Sequence, residues 1–199
     1  QSRVLLAANQ TWNVANANTN NSPAALNVGE DLTFFAQAAA VPFNLGGFTV
    51  TKTGAGVAAF SSGYTVTNGA FLVNGGILHF QSGSSRVTTI DSSVSFTVNS
   101  GGTLATGTSI ESLAVGGNLG FNTNSNFQYE LDKDAAASVA GDLTAVTGSL
   151  SLAGTVTLTL VETGTGSWEL GNPLGDHFGS PAADTIAPGF RMPLSHVAA

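Results

Sequence analysis

The chain contains no cysteine. That absence removes disulfide cross-links, thiolate metal sites and a cysteine nucleophile together. Charge is almost as scarce: charged residues make up 9% of the 199, against about 25% in ordinary soluble domains. An exterior therefore has to be built largely from Ser, Thr, Asn and Gly. The five cations, Arg3, Lys52, Arg86, Lys133 and Arg191, stand singly along the chain, and the formal net charge is −7. With no basic patch to neutralise phosphates, nucleic-acid binding is not expected, and neither is docking on anionic lipid. No apolar run approaches the roughly 20 residues of a membrane-spanning helix, so membrane insertion is not expected. The first residue is Gln1 rather than Met, which fits a removed secretion signal.

Helix signals are missing as well. The 25 glycines are spread throughout, and Ala, Glu, Lys and Leu never gather at i, i+3, i+4 spacing between caps. The segment from Asp132 to Asp142 and the alanine run Ala36 to Ala40 each allow a turn of helix at most.

What the chain has in quantity is alternation. FTVTKT (Phe48 to Thr53), YTVTNG (Tyr64 to Gly69), AFLV (Ala70 to Val73), SVSFTV (Ser93 to Val98), FQYEL (Phe127 to Leu131) and TVTLTLVE (Thr155 to Glu162) repeat at period 2 with β-branched and aromatic residues. That pattern predicts short strands with one face buried and one wet. Between them recur related phrases: VNGGILHF from Val73, VNSGGTLA from Val98, VGGNLGFN from Val115, VAGDLTAV from Val139 and LAGTVTLTL from Leu152. Their glycines supply the positive φ that a tight corner needs. Repeat starts fall unevenly, near residues 28, 45, 73, 98, 115, 139 and 152.

Short strands with Gly or Asn corners fit either an antiparallel hairpin stack or a solenoid whose turns stack on one another. The recurrence favours the solenoid: an all-β chain wound as a parallel β-helix with uneven rungs, carrying columns of inward Val, Leu, Ile and Phe. The alternative is a β-sandwich completed by a donated strand, Val4 to Ala8. The two differ in ladder direction between Thr51 and Val161, parallel for the helix and antiparallel for the sandwich.

The stretch TKTGAGVAAFSSGYTVTNGAFLVNGGILHFQSG, Thr51 to Gly83, resembles the autotransporter-associated β-strand repeat, whose pattern opens on Thr-Lys-Thr-Gly-Ala-Gly and closes on a Val-x-x-Gly-x-Leu-x-Phe-like phrase. Gly141 to Gly164 is similar to the closing part of large secreted bacterial proteins that carry these repeats. The resemblance covers about two-thirds of the chain by the extent of the recurring phrases, and implies a right-handed β-helix exported to the cell exterior. It departs from the family in having a single good opening motif and no run of outer-membrane barrel strands. The expected organisation is an N-terminal strand and Asn-rich segment over residues 1–27, a β-solenoid over 28–170, and an irregular Pro/Gly-rich tail over 171–199.

Candidate chemistry is thin. His79, His177 and His196 lie far apart without the spacing of a zinc site, and no Gly-x-Ser-x-Gly elbow is present. No catalytic residue, metal site or cofactor is assigned. Acids concentrate at Glu130, Asp132, Asp134 and Asp142. Alternate Glu130, Asp132 and Asp134 on one strand face are the sole candidate for Ca²⁺, but Lys133 intervenes and a solvated loop outweighs the metal reading. Trp12, Tyr64, Tyr129 and Trp168 suit core or end-cap packing better than a sugar-binding platform. A β-helical lyase or hydrolase needs clustered acids and cations in a groove, which five dispersed cations do not provide.

A coiled β-rod exposes unpaired strand edges and apolar columns at its ends, and low charge offers little repulsion against self-association. The expected function is therefore a secreted structural protein that assembles end to end into an extracellular filament or surface layer. Val4, Leu5, Leu6, Trp12, Phe178, Ile186 and Phe190 are the expected inter-subunit residues, and other copies of the chain the expected partners. The alternative is a monomeric adhesin or stalk module that binds surface polysaccharide.

Overall fold

The computed structural model describes residues 4–15, 32–35, 41–61, 63–81, 87–107, 111–132 and 141–163. Among them every regular element is a strand. The strands fall into six turns, or rungs, of three. Rung 1 comprises β1 (Val4–Leu5), β2 (Gln10–Asn13) and β3 (Leu32–Phe35); rung 2 comprises β4 (Val41–Asn44), β5 (Thr49–Thr53) and β6 (Val57–Ser61). Rung 3 comprises β7 (Tyr64–Thr67), β8 (Gly69–Val73) and β9 (Gly76–Gln81); rung 4 comprises β10 (Thr88–Ile90), β11 (Val94–Val98) and β12 (Gly102–Ala105). Rung 5 comprises β13 (Ser112–Val115), β14 (Leu119–Phe121) and β15 (Ser125–Asp132); rung 6 comprises β16 (Leu143–Val146), β17 (Leu150–Leu152) and β18 (Val156–Thr163).

Each strand pairs with the strand three ahead, giving three six-stranded sheets in the orders β1-β4-β7-β10-β13-β16, β2-β5-β8-β11-β14-β17 and β3-β6-β9-β12-β15-β18. All ladders between named strands are parallel. The molecule is thus a parallel β-helix. The donated-strand sandwich is overturned: antiparallel hairpins are replaced by parallel stacking, and Val4 and Leu5 pair with Phe43 and Asn44 of their own chain. The first two described strands, β1 and β2, lie in the stretch expected as the N-terminal strand and Asn-rich segment, and residue 28 lies outside the described residues. Nearly all of the Asp132–Asp142 segment and the whole of Ala36–Ala40, the two short-helix candidates, lie outside the described residues.

The uneven repeat has a geometric cause. Rungs 2 to 5 open at Val41, Tyr64, Thr88 and Ser112, a regular repeat of 23 or 24 residues. The glycine phrases do not all mark one corner. Those from Val73, Val98 and Leu152 turn the chain from the second sheet into the third, whereas that from Val115 turns it from the first into the second. Counting all phrases as one landmark mixes two phases of a regular coil.

Columns of like residues fill the interior. Phe34, Phe60 and Phe80 occupy adjacent rungs of the third sheet with ring centroids 5.1 and 5.2 Å apart. Phe43, Tyr64 and Phe71 meet Phe60 edge-on. Further along, Val98, Leu104, Leu113, Val115 and Leu119 continue the core. Each such fully buried side chain contributes about 1.5–3 kcal/mol, and edge-to-face ring pairs add about 0.5–1.5 kcal/mol. The third sheet departs from one-sided burial: Val57, Ala58, Ala59 and Phe60 of β6 and Leu78, His79 and Phe80 of β9 are all buried. The outward column of Ala59, His79 and Ala105 is equally enclosed.

Corners are held by specific chemistry. Lys52, in an inward position of β5, is completely buried, and its Nζ donates to the carbonyls of Thr53, Gly54 and Gly75 at 3.0, 3.1 and 2.9 Å. This is the lysine of the Thr-Lys-Thr-Gly-Ala-Gly phrase, and it pins the corners of two successive rungs together. Gly76 (φ +61°) stacks so tightly on the rung below that a Cβ would collide with the Gly54 and Gly56 carbonyls. Outside, Asn122 donates to Asn99 at 2.5 Å and Asn99 to Asn74 at 2.7 Å, a ladder of amides running along the axis.

Candidate functional site

Two places stand out against this uniform coil. The first is the corner between the third and first sheets at rungs 5 and 6. Glu111 stands just before β13, Glu130 lies in β15, and Asp142 stands just before β16; all three are buried. Asp142 joins the rungs. Its backbone N–H donates to the Glu130 carbonyl (3.0 Å), while its carboxylate accepts from the backbone N–H of Glu111 (3.0 Å) and of Glu130 (2.9 Å). The next residue, Leu143, donates its N–H to the Glu111 carbonyl at 2.8 Å. The Glu111 carboxylate rests over Gly107, where a Cβ would occupy the same space.

Glu130 is 0% exposed, and neither carboxyl oxygen has a hydrogen-bond partner. An ionised carboxylate in that setting is strongly disfavoured. Burial, then the nearby charges of Asp142 and Glu111, push its pKa up to about 8. Burial also raises Asp142, to about 6, with its two backbone hydrogen bonds and the His79 imidazole pulling the other way. The Tyr129 phenol is pushed up to about 12 by burial and by Asp142. Burial at this corner thus favours the protonated form of Glu130. All three acids are buried, Glu130 completely.

The second place is the rung-6 end of the coil. Among the described residues β16, β17 and β18 are the last strands of their sheets, each paired with a described strand on one side. Leu150 and Leu152 continue the inward column of Leu119 and Phe121, but they are 40% and 46% exposed where their partners are 2% and 4%. Leu160, in register with Tyr129, is exposed too. Part of the apolar interior is exposed there, beside strand edges that pair with no further strand among the described residues.

The opposite end is better closed. Trp12 and Phe34, with centroids 4.8 Å apart, lie over Phe43 and Phe60 and are half-buried. Of the residues expected to join subunits, Val4, Leu6 and Trp12 pack against the core, whereas Leu5 projects into solvent at 68% exposure. Phe178, Ile186 and Phe190 lie outside the described residues. Of the Ca²⁺ candidates, Glu130 is buried rather than solvated; the Asp132 side chain and all of Asp134 lie outside the described residues. Among the described residues no three His, Asp or Glu side chains are placed to hold a metal ion. His79 is an outward residue of β9 yet fully enclosed. Tyr64 and Tyr129 pack inside among other rings, and Trp168 lies outside the described residues.

Sequence reasoning missed Leu150, Leu152 and Leu160, which read as ordinary strand residues until the rung order places them last. It also missed Glu111, for which a glutamate after Gly107 gives no signal. Comparison with protein-family models, with curated proteins and with solved structures finds no match to this chain.

Proposed function

We propose that this protein is a secreted structural protein whose coils assemble end to end into an extracellular filament or surface layer. The observation that carries this reading is the rung-6 end, where Leu150, Leu152 and Leu160 are exposed beside strand edges that have no further partner among the described residues. A second copy's strands, added in parallel, continue the ladders and cover those leucines. A head-to-tail contact of this kind does not close on itself, so it extends into a fibre. The rung-1 end, with the half-buried Trp12 and Phe34 and the projecting Leu5, is the complementary surface. The likeness of Thr51 to Gly56 to the autotransporter-associated repeat, together with a surface poor in charge, supports export.

Electron microscopy of the purified chain tests the reading. Rods longer than one coil are expected for the wild type, and isolated particles for Leu150→Lys/Leu152→Lys. Isolated particles for both would leave a monomeric stalk or adhesin module as the better description.

A further inference from the structure

We propose that the Asn74–Gly75 corner is a self-modification site, at which the chain deamidates its own Asn74 with water as the only co-reactant. The reaction stands on contacts within one chain, independently of whether copies join end to end.

The sequence holds two Asn-Gly pairs, Asn68–Gly69 and Asn74–Gly75. Each follows a β-branched residue, Thr67 or Val73, and both asparagines are exposed. In each pair the second residue has no Cβ, so its nitrogen meets little steric resistance on approaching the preceding side chain. As sequence the two pairs are nearly equivalent. The fold makes them different.

At Asn68–Gly69 the linking peptide unit is held at both ends. Its carbonyl accepts from the Gly47 N–H at 2.7 Å, and its N–H donates to the Ser93 carbonyl at 3.2 Å. Asn68 is also fixed in the left-handed region, at φ 58°, with its own N–H on Ser93 Oγ at 2.9 Å. At Asn74–Gly75 the flanking groups are held and the linking unit is not. The Asn74 N–H donates to the Lys52 carbonyl at 2.8 Å, and the Gly75 carbonyl accepts from Lys52 Nζ at 2.9 Å. Between them, neither the Asn74 carbonyl nor the Gly75 N–H has a hydrogen bond among the described residues. The side-chain carbonyl of Asn74 is engaged, however: Asn99 Nδ2 donates to its Oδ1 at 2.7 Å. That donor draws electron density from Cγ and already points at the oxygen that turns negative when a nucleophile adds.

The chemistry balances on this chain and water. The Gly75 nitrogen attacks Asn74 Cγ, a C–N bond forms, the Cγ–Nδ2 bond breaks, and ammonia leaves with the proton that the Gly75 nitrogen gives up through water. The product is a cyclic imide closed over the corner. Water then adds to either imide carbonyl: at Cγ it restores the main chain and leaves aspartate, and at the main-chain carbon it leaves isoaspartate. No oxidant or reductant is needed. Either product places a carboxylate at the rung-3 end of the amide ladder. Isoaspartate also adds a methylene to the main chain between two groups that Lys52 holds.

The full chain, incubated at mildly alkaline pH either folded or in guanidinium and mapped by tandem mass spectrometry, tests the site. In the folded chain Asn74 is expected to deamidate roughly two- to tenfold faster than Asn68, the factor that one net hydrogen bond on the attacking nitrogen supplies. In guanidinium the two rates should come to near parity, because the bonds that hold Gly69 are gone. Equal rates or a faster Asn68 in the folded chain, or a ratio that guanidinium leaves unchanged, overturns the proposal.

Discussion

The two ends of this coil are built from different side chains and are closed to different degrees. At rung 1, Trp12 and Phe34 lie across the aromatic interior and leave it half-covered. At rung 6, the corresponding inward positions hold Leu150, Leu152, Val156, Leu158 and Leu160, all aliphatic. A flat ring can both stack on the rung beneath and shield it, so an aromatic end loses less by being last. A leucine whose column ends with it keeps one side in water. The difference teaches that the repeat does not make all rungs equivalent: end rungs differ by what their inward columns carry.

Substitutions can break or sharpen that contrast. The largest effect belongs to the aromatic region. Phe60→Ala removes the ring that touches Phe34, Phe43, Tyr64, Phe71 and Phe80, and should cost about 3–5 kcal/mol in urea unfolding. Next comes Lys52→Met, which keeps the inward bulk but leaves the Thr53, Gly54 and Gly75 carbonyls without their shared donor; a loss of about 3 kcal/mol is expected, measurable as a lower urea midpoint. Asn99→Ala cuts the exposed amide ladder in two and should cost about 0.5–1.5 kcal/mol by the same assay. Smallest is Leu150→Ala at the open end, under about 1 kcal/mol. Leu119→Ala, one rung in on the same column, should cost about 2–5 kcal/mol. Equal costs for those two leucines would erase the distinction between a covered rung and an open one.

Much of the fold was legible in the residues. Alternation in Phe48 to Thr53, Tyr64 to Val73 and Ser93 to Val98 marks β5, β7, β8 and β11, because a half-buried strand needs period 2. The parallel coil was favoured over hairpins by the recurrence of Gly and Asn corner phrases, although their starts fall unevenly. Rung phase was not legible, because Gly and Asn serve two kinds of corner with the same backbone need: Asn68 turns the first sheet into the second and Asn124 the second into the third, both at positive φ. The candidate sites were legible only in part. Glu130 and Asp142 could be seen as a local concentration of acid, but Glu111, whose backbone N–H donates to Asp142, is 19 and 31 positions away. The enclosed face of β6 is invisible for a similar reason: Ala59 reads as a small neutral residue wherever it points.

The central claim is that the exposed rung-6 core draws in another copy of the chain. Light scattering over a dilution series measures this most directly. The account predicts a weight-average mass above the 20.0 kDa of one chain that climbs with concentration, and a drop to the single-chain value in Leu150→Lys/Leu152→Lys. A wild-type mass fixed at one chain throughout, or a climb that the two lysines leave untouched, contradicts it.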